Sequence, residues 1–86
     1  MLVAMAKAKK TAKALHLTAT MRVLRFHYAR PSITVADACE IIKRLALRVG
    51  TGDASRDDQA LEEKLRKATG VTVAELANLA EGWPAD

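Results

Sequence analysis

Few side chains in this sequence of 86 residues are suited to metal binding, which needs several His, Cys or carboxylate ligands that converge on one ion. His16 and His27 would stand about 16 Å apart on one straight helix, which is too far to share an ion. Cys39 falls on an apolar helical stripe, a position typical of a small core residue and not of a reactive thiolate. We therefore expect no metal and no cofactor.

The sequence also lacks a convincing arrangement for catalysis. A nucleophile needs a neighbouring base and a third group that orients the base. The two serines, Ser32 and Ser55, fall at turn or helix-cap positions. Two pairs of adjacent carboxylates, at positions 57–58 and 62–63, fall on a helix that we expect to be exposed, so no burial would raise their pKa values for acid catalysis. We expect a protein that is not an enzyme.

Charge gives the clearest functional signal, because residues 1–36 contain seven basic side chains and no Asp or Glu. Residues 37–86 contain seven basic and ten acidic side chains, and the whole chain carries a net charge of +4. Such asymmetry indicates an anionic partner for one end, or self-association between unlike ends. For DNA or RNA, phosphate contacts would dominate. The candidate contact residues are Lys7, Lys9, Lys10, Lys13, Arg22, Arg25 and Arg30.

The same charge has a simpler interpretation for the first part of the chain. Residues 1–14 are rich in Lys and Ala and are predicted to form a flexible basic arm, whose charge serves only solubility in that interpretation. Residues 15–86 are predicted to form a single helical domain. Arg22, Arg25 and Arg30 fall inside this domain, where a folded scaffold would hold them in fixed positions.

Composition indicates an all-α fold. Hydrophobic residues make up 50% of the chain, but there is only one Phe, one Tyr and one Trp, so the core must be aliphatic. Chains rich in Ala and Leu with 28% charged residues are typically helical. The single cysteine excludes an internal disulfide framework and suits a reducing compartment, so we expect a cytoplasmic location. No apolar stretch is long enough to cross a membrane, and we expect no membrane partner.

Hydrophobic periodicity predicts a small bundle of three to four helices, at approximately 17–29, 35–49, 56–68 and 73–81. Thr34, Ser55 or Asp53, and Thr72 are the expected N-caps. The second helix has an unbroken apolar stripe from Val35 to Val49, after which a Gly-Thr-Gly run should end it. Narrower stripes are expected on the other two: Leu61, Leu65 and Ala68 on the third, and Val73, Leu76, Ala77 and Ala80 on the fourth, with Trp83 folding back onto the core.

The first predicted helix has a competing interpretation. Leu17, Met21, Leu24 and Tyr28 lie on one helical face, yet Leu24, Phe26 and Tyr28 also alternate with polar or small residues as in a strand. We favour the helix, ended by the proline at position 31, because the longer stripe fits it. A strand at 21–28 would instead suit a ribbon-helix-helix dimer, with the arginines displayed on the strand.

Two segments resemble DNA-binding motifs. Met21 to Ala46, with Val23-Leu24 and then Pro31-Ser32-Ile33-Thr34-Val35-Ala36, resembles the opening of winged-helix and other helix-turn-helix domains. The segment from Leu61 to Leu79 resembles the first half of a repressor-type helix-turn-helix, through Ala68-Thr69-Gly70-Val71-Thr72-Val73-Ala74-Glu75-Leu76-Ala77. In those domains a recognition helix with polar side chains follows within a few residues. Neither segment is followed by such a helix, and the sequence supports no family assignment.

These observations favour a small accessory or regulatory protein, helix-turn-helix-like, that contacts nucleic-acid phosphates through its basic N-terminal third. The alternative is a helical protein-protein interaction module, such as an adaptor, an inhibitor or a phage-type accessory protein, with a protein partner or a second copy of the chain. Leu47, which projects from the charged face of the second predicted helix, is the residue that favours this alternative.

Overall fold

Four helices make up the part of the chain that the structure, a computed structural model, describes, which is residues 16–84. The helix α1 occupies residues 16–27, followed by α2 at Val35–Thr51, α3 at Arg56–Thr69 and α4 at Val73–Ala80. Residues 16–84 contain no strand, so the all-α prediction is confirmed and the strand interpretation of residues 21–28 is wrong. The predicted arm at 1–14 lies outside the described residues.

Side-chain caps fix where the helices begin. The Thr34 hydroxyl accepts a hydrogen bond from the backbone N–H of Asp37, and the Asp37 carboxylate accepts one from the backbone N–H of Thr34, each at 3.1 Å. Ser55 and Asp58 form the same reciprocal pair at the start of α3, so Ser55 is the cap and not the other candidate at position 53. Thr72 caps α4. Each reciprocal pair satisfies two backbone donors that a bare helix end would leave without partners.

The end of α1 comes earlier than predicted and has a different cause. Ala29 adopts a left-handed conformation with φ of 52°. The backbone N–H of Ala29 then donates to the carbonyl of Phe26 at 3.2 Å, and that of Arg30 to the carbonyl of Arg25 at 3.0 Å. These two bonds close the helix, so it stops at residue 27 before Pro31 can act on it.

The helix α2 runs two residues beyond its predicted end. Gly50 is accommodated within the helix, and the left-handed residue that ends it is Gly52, with φ of 81°. The backbone N–H of Asp53 donates to the carbonyl of Arg48 at 2.8 Å and completes the cap. Glycine adopts this conformation without the steric penalty that other residues bear.

One face of α2 lies at the centre of the core. Ala38, Ile42 and Leu45 have no solvent exposure, and α4 packs mainly against α2. Trp83 folds back onto the core, as predicted. The rest of the buried apolar cluster is Met21, Leu24, Ile33, Leu61, Leu65, Val73, Leu76 and Ala80.

Ala68, Tyr28 and Ile33 depart from the predicted burial pattern. Ala68 is exposed, because α3 turns its buried face toward positions 58, 61 and 65. Tyr28 lies beyond the end of α1 and is 37% exposed, although the stripe placed it in the core. Ile33 lies in the connection between α1 and α2, where no periodic pattern exists to reveal it, and is 1% exposed.

A two-point ion pair joins α2 to α3. Nε and Nη2 of Arg48 donate to the two carboxylate oxygens of Asp58 at 2.8 and 3.0 Å. The hydrogen bonds from Arg48 and from the Ser55 backbone hold the pKa of Asp58 below its usual range. The carboxylate at position 58 was expected to be exposed, and that expectation is wrong, because Asp58 is satisfied by Arg48 where the two helices meet.

We expect Leu45→Ala to lower the free energy of unfolding by about 2–5 kcal/mol, because it removes a fully buried side chain and leaves a cavity. Leu47→Ala is the matched control, since Leu47 is 68% exposed on the same helix and its loss should change stability by less than about 0.5 kcal/mol. Urea denaturation followed by circular dichroism measures both. Equal effects of the two substitutions would contradict this core.

The Arg48–Asp58 pair gives stability a defined pH dependence. Because the pKa of Asp58 is lower in the folded state than in the unfolded chain, its contribution is complete at neutral pH. It is lost as pH falls from about 4 through the folded-state pKa. Asp58→Asn should therefore lose less stability than the parent protein between neutral and acidic pH. Glu63→Gln, which alters an exposed pair with Lys67, is the control and should keep the parent profile in urea titrations.

Candidate nucleic-acid interface

The outward side of α1 presents arginine, threonine and phenylalanine together. Thr18, Arg22, Arg25 and Phe26 fall at helical spacings of four, seven and eight residues, which places them on one side of the helix. All four are exposed, and Phe26 is 82% exposed. We call these four residues the α1 face. Met21 and Leu24 occupy the opposite, buried side and anchor the helix in the core.

Arg22 is the cation of the α1 face that stays free. It makes no hydrogen bond and no ion pair with any residue between 16 and 84, and its side chain extends into solvent. A guanidinium in this state keeps all its donors available for an incoming anion. The structure therefore leaves Arg22 as the best placed of the predicted contact residues.

Arg25 is exposed, but hydrogen bonds also link its side chain to the backbone that follows α1. Its Nε and Nη2 atoms donate to the carbonyl oxygen of Ile33 at 3.1 and 2.9 Å. This pair of bonds holds the connection between α1 and α2 against the end of α1. The remaining N–H groups of the guanidinium have no partner among the described residues, so Arg25 can meet an anion while it serves this structural role.

Arg30 lies after α1 and close to a carboxylate. Hydrogen bonds from Thr34 hold the pKa of Asp37 below its usual range, and the positive charge of Arg30 contributes to that lowering. The charge of Arg30 is thus partly offset by Asp37. An anionic ligand would meet less net positive charge at Arg30 than at Arg22.

A groove of about 490 Å³ runs beside the α1 face. We call it the arginine groove. Leu17, Met21 and Val35 give it apolar walls, and Thr18, Arg22 and Arg25 give it polar ones. The groove therefore combines apolar surface with two guanidinium groups, a combination suited to a ligand that is flat and apolar in one part and anionic in another.

Contacts with α3 hold the last turn of α1. His27 has a side chain only 7% exposed, and its Nε2 lies 3.1 Å from Oδ2 of Asp57. The other ring nitrogen, Nδ1, lies 3.2 Å from Nζ of Lys64. Tyr28 meets the His27 ring edge to face, with centroids 4.9 Å apart. Burial, with the charges of Asp57 and Asp58, raises the pKa of Tyr28. The junction thus contains carboxylates as well as cations, whereas the α1 face contains arginines and no carboxylate.

Three of the seven other Lys and Arg side chains in the described part of the chain pair with carboxylates. Arg44 pairs with Glu40 at 2.8 Å, Lys67 pairs with Glu63 at 3.2 Å, and Arg48 pairs with Asp58. None of the three predicted arginines between residues 16 and 36 has a carboxylate of residues 16–84 within ion-pair distance. The predicted charge asymmetry therefore persists in the folded surface.

Sequence analysis identified the arginines of this surface but missed its aromatic side chain. Lys7, Lys9, Lys10 and Lys13 lie outside the described residues. Phe26 had entered only as part of a strand pattern, yet the helical stripe through Leu17, Met21 and Leu24 already excludes it from the core. Once the buried face of a helix is known, an apolar residue outside that face can be identified as exposed. Phe26 could have been recognised from the sequence in this way.

Residues 16–84 contain neither a metal-binding cluster nor a membrane-spanning helix. No three His, Cys, Asp or Glu side chains in this range come close enough together to hold a metal ion. None of the helices in the same range has the length and apolar character needed to span a bilayer.

The different roles of two arginines can be separated by stability. We expect Arg25→Ala to lower the free energy of unfolding by about 1 kcal/mol, because the Ile33 carbonyl loses both of its donors. Arg22→Ala should change it by less than about 0.5 kcal/mol, since Arg22 is exposed and makes no hydrogen bond or ion pair with the described residues. Thermal and urea unfolding of the two variants provide the comparison. A larger loss with Arg22→Ala would refute this assignment.

The described residues thus bring three arginines, one exposed phenylalanine and a groove together around α1. Comparison of the chain with protein-family models, with curated proteins and with solved structures finds no match. A function for this chain is therefore inferred from the chemistry of this surface.

Proposed function

We propose that this chain is a non-enzymatic nucleic-acid-binding protein, with an accessory or regulatory role, whose phosphate contacts come from Arg22, Arg25 and Arg30. The lysines predicted for the same role, Lys7, Lys9, Lys10 and Lys13, precede α1 in the sequence and would add to its positive charge. Phosphate contacts of this kind bind largely without regard to base sequence.

The observation that carries the proposal is the charge of α1. Within the described chain, α1 carries arginines and no carboxylate, whereas α2 and α3 carry both signs and α4 is acidic. Arg22 and Arg25 are also three residues apart on one side of a helix that the core holds in place. Two guanidinium groups on one ordered helix, neither of them in an ion pair with the described residues, are suited to the closely spaced phosphates of a nucleic-acid backbone.

The remaining helices argue against major-groove recognition. After α2, the next helix is α3, which carries four acidic and four basic residues. Its carboxylates at 57, 58, 62 and 63 would repel the backbone that flanks a groove. The helix α4 has eight residues, and no helix follows it within the described chain. Base readout by a recognition helix is therefore not part of the proposal.

The test is the salt dependence of binding. The full chain should bind DNA and RNA at low salt and weaken steeply as salt rises. Arg22→Ala should weaken binding to all sequences alike, and it should reduce the slope of log affinity against log salt by about 1. Fluorescence anisotropy over a salt series measures both quantities.

Arg66→Ala is the control of equal charge. Arg66 is exposed on α3, and it lies two residues beyond Lys64, on the side of α3 away from the His27 contact. This variant should leave affinity and slope nearly unchanged. Absence of binding to DNA and RNA at low salt would refute the proposed function, and equal losses with Arg22→Ala and Arg66→Ala would refute the assignment to α1.

A protein-protein interaction module is the second candidate. Phe26 is 82% exposed and Leu47 is 68% exposed, and both are side chains that a protein partner or a second copy of the chain would cover. Measurement of the mass in solution distinguishes a homodimer from a monomer. A dimer that Leu47→Glu or Phe26→Glu converts to monomer would favour this candidate.

A further inference from the structure

Phe26 adds a chemical property to the α1 face that phosphate binding alone does not use. The ring is exposed on a well-packed helix, four residues after Arg22 and next to Arg25. Four residues of helix advance about 6 Å along the axis, so Phe26 and Arg22 lie one turn apart on the same side. That distance is close to the step between consecutive nucleotides in an extended strand.

We propose that the α1 face binds single-stranded nucleic acid, with Phe26 stacking against a base while Arg22 and Arg25 contact the neighbouring phosphates. This inference rests on the proposed function and specifies the form of nucleic acid. Basic side chains combined with exposed aromatic rings are the general means by which proteins hold single strands.

Stacking on Phe26 distinguishes single strands from duplexes. In a duplex each base is covered on both faces by its neighbours, so an exposed protein ring finds no free face without opening the helix. In a single strand the faces become available at little cost. Because every base has a flat aromatic face, stacking also tolerates any sequence, which agrees with phosphate contacts that do not read sequence.

The arginine groove offers space for a second base. Its apolar walls, Leu17, Met21 and Val35, lie beside the two arginines, and its volume of about 490 Å³ can take a flat ring. A strand that stacks one base on Phe26 would pass Arg22 and bring the adjacent base to this groove. Thr18 lies at the edge of the groove and is exposed.

The junction of α1 with α3 limits the path of the strand. Tyr28 is the other aromatic residue near the end of α1, but its ring packs edge to face against His27. The exposed carboxylate of Asp57 lies beside His27 and would repel phosphates, so Tyr28 is not part of the proposed surface. The strand is expected to run from Phe26 toward the start of α1 and away from α3.

The experiment compares a labelled single strand of thymidines, about 20 nucleotides long, with a duplex of equal length, at low salt and with the full chain. The parent protein should bind the single strand more tightly. Phe26→Ala should weaken single-strand binding about tenfold or more and duplex binding little, whereas Phe26→Trp should preserve or improve it. Leu47→Ala is the control, because it removes an exposed apolar side chain outside the α1 face.

A second pair of variants tests the groove. Thr18→Glu places a carboxylate at its edge and should weaken single-strand binding, whereas Asn78→Glu adds the same charge at an exposed position on α4 and should not. Thermal unfolding checks that each variant remains folded.

The outcomes separate this inference from the proposed function. If Phe26→Ala binds the single strand as tightly as the parent, or if the duplex is bound at least as tightly as the single strand, the stacking proposal is wrong while phosphate binding stands. If neither form binds at low salt, the proposed function fails and the inference fails with it. Capture of a protein partner that Phe26→Ala abolishes, without nucleic-acid binding, would assign the surface to the second candidate function.

Discussion

Burial of one face of α2 is the constraint on which the rest of this structure depends. Ala38, Ile42 and Leu45 are fully enclosed, and α4 covers much of that face. Because the chain has only three aromatic residues, aliphatic side chains must fill the core. These side chains are closely packed, so a change in the volume of one of them affects stability. One turn beyond Leu45, Arg48 holds α3 through the two carboxylate oxygens of Asp58. A single helix thus supplies both the apolar centre and the polar link to its neighbour.

Local chemistry made much of this fold predictable from sequence. Thr34, Ser55 and Thr72 start their helices because each side chain satisfies a backbone donor nearby. The residues that escaped prediction are those whose partners lie far away in sequence. Asp58 was expected on an exposed helix and Ile33 had no periodic pattern around it, yet contacts with other elements bury both. Hydrophobic periodicity describes a single helix, whereas the burial of these residues depends on contacts between two elements of the fold.

The candidate surface likewise has features that the sequence predicts and features that only the structure shows. Unequal charge along the chain indicated the arginines without the fold, because the absence of acidic residues near them is a property of sequence. Their different environments required the structure: Arg22 makes no hydrogen bond with the described residues, Arg25 is tied to Ile33 and Arg30 lies near Asp37. The tie at Arg25 and the contacts of His27 with α3 hold the last turns of α1 from two sides. The backbone that carries these side chains is therefore ordered before a ligand binds, so binding does not have to order it.

The C-terminal caps of α1 and α2 have the same hydrogen-bond pattern but differ in the residue at the left-handed position. The left-handed position is occupied by Gly52 after α2 but by Ala29 after α1, and an L-residue with a Cβ bears a penalty of about 1–2 kcal/mol there. Opening the final turn releases that strain at α1 and releases nothing at α2. The amide protons of Ala29 and Arg30, which close α1, should therefore exchange with solvent sooner than those of Gly52 and Asp53. The strain lies three residues from Phe26, so the most exposed aromatic ring of the described chain stands one turn before a strained helix cap.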